Sequence, residues 1–131
     1  MDVDLPDVVA EVSEAFGRYE AALVNNDVAT LGALFRNDPR TLRYGIGENL
    51  YGYDAIQAFR AARSPVGLMR KTAKTVITAY GQDTAVASTL FYRDTMTGRV
   101  GRQMQTWVRF PEGWRIVAAH VSIIDEPRDP A

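Results

Sequence analysis

Apolar residues fall at helical spacing in the opening stretch "DLPDVVAEVSEAFGRYEAALVNN", where Val9, Val12, Phe16, Tyr19 and Leu23 recur at steps of three and four. That is the stripe of an amphipathic helix. Asp4 and Asp7 around Pro6 suit its first turn, and Asn25-Asn26 should end it. A short second helix follows, capped by Asn26 or Asp27, with Leu31, Leu34 and Phe35 apolar. Pro39 makes "RNDPR" a loop. "TLRYGI" reads as a strand and "GENLYG" as a turn, after which "YDAIQAFRAAR" returns to helical spacing with Ile56, Phe59 and Arg63 on one line. Strands are expected over 70–80, 84–93 and 99–110, separated by Gly81, "DTMTG" and "PEG", and a last one from Trp114 to Ile124.

The order is ααβαββββ, with helices gathered first and an antiparallel meander last, which predicts an α+β fold. A long twisted sheet of this kind buries its apolar face by curling around the helices. The expected product is a single cone-shaped domain over 1–124 with an open mouth, the usual place for a small-molecule pocket. The remainder, 125–131, is acidic and proline-broken and reads as a frayed tail.

Several polar side chains fall on the apolar faces this pattern defines. Unbroken strand alternation puts His120 in register with Trp114, Ile116 and Ala118, and Arg102 with Met104, Thr106, Val108 and Phe110. Arg63 follows Phe59 by four residues, and Tyr19 sits on the buried stripe of the first helix. Arg43 lies opposite Leu42, Tyr44 and Ile46, yet a cone can cover both faces of a strand. Each has an ordinary explanation. Arg63 can snorkel from a helix end, Tyr19 can be a core aromatic, His120 can bond a backbone carbonyl, and Arg102 can pair with a carboxylate. Together they are harder to dismiss, because the acids lie mainly in turns, in the tail and on the polar side of the first helix. Buried charge without a partner costs several kcal/mol. The pattern therefore predicts an electropositive pocket that takes an anion.

Composition narrows the rest. The 131 residues are 24% charged with a formal net charge of -1, a single-domain profile that lacks the Lys/Arg runs of a nucleic-acid surface. Of 15 basic residues only Lys71 and Lys74 are lysines, and arginine is favoured where a carboxylate must be gripped in a plane. With no cysteine and one histidine, a disulfide framework, a thiolate metal site and a multi-histidine metal site within one chain are excluded. No apolar run approaches the roughly 20 residues of a membrane span, and the acidic start is unlike a secretory signal. A cytoplasmic protein without a metal, cofactor, membrane or nucleic-acid partner is expected.

The run "GRQMQTWVRFPEGWRIVAAHVS", preceded by "LYGYDAIQAFRAAR", resembles the AtzH-like proteins, including the HpxZ-type proteins of oxalurate catabolism. The wider likeness is to the SnoaL/ketosteroid-isomerase-like, or nuclear-transport-factor-like, cone. The resemblance covers nearly the whole chain, from the first helix to Ser122. It implies a homodimeric α+β barrel and a cofactor-free, decarboxylating hydrolysis of a ureido dicarboxylate such as 1,3-dicarboxyurea in cyanuric acid breakdown. The family's activity-linked tyrosine and arginine match Tyr19 and Arg43. Met104 departs from the family pattern, where a small polar residue is expected, and that bears on pocket shape.

On this basis Tyr19 and Arg43 are the expected catalytic residues, with Arg63, Arg102, Gln105, His120 and Ser122 around the substrate. Arg43 would grip one carboxylate and Arg63 or Arg102 the other, Tyr19 would supply a proton, and His120 is the second candidate for that proton. The dimer contact is expected on an outer sheet face carrying Trp107. Two other readings stay open: isomerase chemistry, which would need two inward acids that cannot be placed, and a non-catalytic anion-binding or accessory subunit working beside an amidase.

Overall fold

A computed structural model describes residues 1–127. Its elements are α1 (Pro6–Val24), α2 (Val28–Leu34), β1 (Leu42–Tyr44), β2 (Asn49–Tyr51), α3 (Tyr53–Ala62), β3 (Lys71–Tyr80), β4 (Thr84–Tyr92), β5 (Arg99–Phe110) and β6 (Gly113–Asp125). The order is the expected one with a small addition, since the tip of "GENLYG" pairs back on β1 as a three-residue strand. One curved six-stranded sheet results, ordered β2-β1-β6-β5-β4-β3. Its pairings are antiparallel except where β1 runs parallel to β6. The tail expected over 125–131 falls largely outside the described residues.

The helices pack on one face of this sheet. Val8, Val12, Ala15, Phe16, Tyr19, Ala22 and Leu23 of α1 are buried there against Ala79, Ala85, Ala87, Trp107 and Ile116. Asp27 caps α2 by accepting from the Thr30 amide at 3.2 Å, which satisfies one of the orphan donors of a helix start. Asn26 adopts a left-handed φ of 48° just after α1, a conformation asparagine tolerates better than most residues.

A β-bulge decides which strand residues face the helices. Thr106 pairs with Ala118 but Trp107 pairs with Ile116, so Val117 is an extra residue in β6. A residue added to one strand reverses the alternation beyond it. Trp114 and Ile116 therefore point inward, and past the bulge the inward residues are Ala119 and Val121. The matching inward residues of β5 are Gln103, Gln105 and Trp107.

Candidate functional site

The mouth of the cone holds a cavity of about 130 Å³, lined by Tyr19 and Leu23 of α1, Arg43 of β1, Phe59 of α3, Gln103 of β5 and Val121 of β6. Ile46 and Glu48 from the β1–β2 turn, Arg63, Leu68, Arg70 and Arg93 complete its wall. It suits a molecule smaller than a drug-sized ligand, whose pockets start near roughly 300 Å³.

Its charge is lopsided. Arg43 donates through Nη1 to Glu48 at 2.8 Å, and the pair is mostly buried. Arg70 grips Glu20 with both Nε and Nη2, the first at 3.1 Å, and donates to Gln103 Oε1 at 2.9 Å. Arg63 reaches only the amide oxygen of Asn26, at 3.2 Å, and its Nε has no partner. Arg93 also has a buried Nε without a partner. Behind the cavity wall, Arg60 is 0% exposed, and none of its three nitrogens has a hydrogen-bond partner. Among the described residues, five guanidinium groups thus face two carboxylates, which leaves three positive charges without a protein counterion.

Aromatic rings take part of that load. Phe59 lies under Arg43 and Arg63 at 5.6 and 5.9 Å, and Phe91 under Arg70 and Arg93 at 4.3 and 5.0 Å. Such contacts contribute about 0.5–2 kcal/mol each. Two glycines make room for the arrangement. A Cβ on Gly101 would stand 2.1 Å from the Phe91 ring, and one on Gly45 would meet the Glu48 carboxylate and stand 2.8 Å from Arg43 Nη1. The first allows the aromatic platform and the second allows the ion pair.

Proton affinities follow the same imbalance. Burial works against a phenolate at Tyr19, but the positive charges of Arg60, Arg43 and Arg70 overcome it and hold the phenol below its ordinary value near 10. Burial, then repulsion by Arg60 and Arg43, brings Arg63 down to about 10. Arg93 is lowered by burial and by Arg70, against the pull of Glu20. A tyrosine poised toward ionisation beside strained cations can give up a proton and hold an anion.

Of the residues expected from sequence, Tyr19, Arg43 and Arg63 meet at this cavity. Arg63 does so as the residue capping α3, since that helix ends at Ala62. Arg102, His120 and Ser122 do not. They stand on the opposite face of the sheet, where Arg102 Nε donates to Ser122 Oγ at 3.2 Å and His120 lies edge-on to Tyr44 at 6.2 Å. The bulge at Val117 puts His120 and Ser122 there, and their partners across the ladder, Met104 and Arg102, follow. His120 is therefore not placed to protonate anything in the cavity. Gln105 does face inward, but in the core away from the cavity, accepting from Trp107 Nε1 at 3.1 Å. Trp107, expected on an outer dimer face, is fully buried, whereas Met104 is 56% exposed and shapes no part of the cavity.

A family model described as AtzH-like matches residues 1–127. The chain belongs to the AtzH-like family. Its fold is also that of several solved structures. A protein of unknown function from Pectobacterium atrosepticum is 60% identical with a TM-score of 0.92, over 95% of this chain and 96% of that one. A cystatin-like fold protein from Burkholderia xenovorans is 51% identical, with a TM-score of 0.93 over 97% and 99%. A nuclear transport factor 2-like protein from Salmonella enterica is 25% identical, with a TM-score of 0.73 over 95% and 94%. No curated protein matches the chain.

Within this AtzH-like cone the sequence reading missed Arg60, Arg70, Arg93, Gln103 and the two carboxylates. Arg60 had a signal, since it lies four residues after the buried Ile56 on the same helix face. Gln103 shares its parity with Trp107, which alternation puts on the outer face, so it had no signal of its own. Arg70 and Arg93 had none, because they flank strand ends, and only the β3–β4 register, which pairs Lys71 with Tyr92, brings them together. No helix is long and apolar enough to cross a membrane. Among the described residues, no three His, Cys, Asp or Glu side chains are grouped to hold a metal ion.

Proposed function

We propose that this AtzH-like protein is a small decarboxylating amidohydrolase acting on a ureido dicarboxylate such as 1,3-dicarboxyurea, in ureide, oxalurate or cyanuric acid nitrogen catabolism. The observation that carries the reading is the phenol of Tyr19 at a cavity whose guanidinium groups outnumber its carboxylates. Two anionic ends on one small planar molecule suit planar cationic forks. Arg43 would take one carboxylate, in competition with Glu48, and Arg63 with Arg93 the other.

The reaction needs one proton and firm orientation. An N-carboxylate loses carbon dioxide as its C–N bond breaks, with the electron pair passing to nitrogen and a proton arriving there. Tyr19 supplies that proton, and the phenolate left behind is held by Arg60, Arg43 and Arg70 until water returns the proton; the hydroxide so formed is taken up by the released carbon dioxide as bicarbonate, so the net reaction consumes one water. The carboxylate at the other end stays bound throughout, so the product is a monoanionic ureido acid. In this reading the protein works as a homodimer and in functional partnership with an amidase.

The test is carbon dioxide release from 1,3-dicarboxyurea by purified protein. Turnover above the spontaneous rate is expected, with a loss of about 10²–10⁴-fold in Tyr19→Phe, the scale of a general acid. Tight binding without turnover would overturn the enzyme reading and leave an anion-binding module.

A further inference from the structure

Arg60 is the one cavity-associated cation that does not line the cavity; it has no carboxylate partner, and the polar group it bears on is the Tyr19 hydroxyl. It projects from the buried face of α3, the position that Ile56 also takes one turn earlier. Its guanidinium lies 4.6 Å from the centre of the Phe35 ring and 5.8 Å from that of Tyr19, and the two rings are themselves 6.2 Å apart. A guanidinium offers five N–H donors, and leaving them all unbonded in the interior is expensive. Packing alone would be served better by a leucine or methionine of similar length.

We infer that Arg60 is a positioning residue for Tyr19: its buried charge, unquenched by any carboxylate, sets how readily the Tyr19 phenol gives up and regains its proton. The inference rests on the reading of Tyr19 as proton donor for its functional meaning, though not for its physical content. The other charged groups around the phenol are Arg43 from β1 and Arg70 from the segment before β3, and each is already tied to a carboxylate, Glu48 and Glu20 respectively. Arg63, past the end of α3, lines the same cavity and bears on Tyr19 from there, while Tyr53 at the start of α3 bears on Arg60. Of the three cations that bear most on Tyr19, Arg60 is thus the one whose field is not cancelled at close range by a carboxylate, and in a site of low dielectric that field is screened little. A phenol held only by packing against Phe35 would not respond to its loss.

The test follows Tyr19 ionisation directly, by carbon-13 resonances of protein labelled at tyrosine Cζ, with Tyr19→Phe identifying the signal among six tyrosines. Arg60→Met should move the Tyr19 midpoint upward by about one pH unit or more, the ordinary effect of removing a close opposite charge. Arg60→Lys, which keeps the charge, should restore most of the shift. A folded Arg60→Met protein whose Tyr19 titrates as before overturns the inference. If the methionine variant fails to fold, Arg60→Gln is read in the same way. Carbon dioxide release separates the two claims: a midpoint that moves while turnover and its pH profile stay fixed upholds the inference about Arg60 and sinks the role of Tyr19 as proton donor.

Discussion

Glu48 occupies the place a substrate carboxylate would want, and its removal should separate stability from binding. In Glu48→Gln the side chain keeps its shape and loses its charge, leaving Arg43 with no carboxylate and with a buried Nε that already lacks a partner. Breaking a fully buried pair costs about 3–5 kcal/mol, and an exposed pair is worth at most about 1 kcal/mol. With Arg43 at 8% and Glu48 at 23% side-chain exposure, an intermediate cost of about 2 kcal/mol is appropriate. For a domain of this size that lowers Tm by about 8 °C. The same 2 kcal/mol is what a dicarboxylate must spend in the native protein to displace Glu48 from Arg43. The variant should therefore bind malonate roughly 30-fold more tightly, and malonate at one hundred times its Kd should return about 2.7 kcal/mol of stability. Thermal melts with and without malonate, together with calorimetric titration of both proteins, check this. Equal malonate affinities would refute the idea that Arg43 is a substrate grip held in reserve by Glu48.

Other expectations follow from the same geometry. Turnover should fall on the alkaline side, because Tyr19 must be protonated to act and its folded value lies below 10; a pH–rate profile without that limb would exclude it as the acid. Its linkage to stability has the sign of any lowered acid, a favourable contribution present above pH 10 and lost as pH falls through the folded value. Dicarboxylate affinity should weaken as pH rises through the Tyr19 value, where a phenolate competes for the same guanidinium groups, and titrations at pH 7 and pH 10.5 would show it. Gly101→Ala should cost about 1–3 kcal/mol by overpacking against Phe91 and should also weaken malonate binding, since Phe91 carries Arg70 and Arg93; a melt and a titration test both. Arg102→Ala and His120→Ala, on the outer face, should leave carbon dioxide release within about twofold, and a larger loss would place them back in the mechanism.

The fold was legible because helical and strand periods are local and mostly unambiguous here. The stripe ending at Leu23, the left-handed stop at Asn26 and the hairpin boundaries of β3 to β6 all follow from residue type and spacing. The inner face of the sheet was not legible. On β5 the face of Val100, Met104, Val108 and Phe110 is the more apolar, while the face that turns inward carries Trp107 beside Gln103 and Gln105, so alternation alone favours the wrong face. In β6 the parity established by Trp114 and Ile116 holds only until Val117, and no residue type there announces a bulge. One inserted residue moved His120 and Ser122 to the far side of the sheet. Tyr19 and Arg63 escaped this error because helix α1 and the end of α3 position them. Strand alternation leaves the direction of Arg43 open and only the family resemblance singles it out; its parallel pairing to Ala119 is what turns it inward. Surplus positive charge inside the cone was the right expectation, carried by partly different arginines.

That surplus is also the claim most open to direct measurement. Calorimetric titration of the native protein with malonate and with its neutral diamide, at low salt and neutral pH, isolates charge from shape. The account expects saturable one-to-one binding of malonate, weakened in Arg63→Met, and no detectable heat from the diamide. Equal binding of both, or of neither, would contradict it.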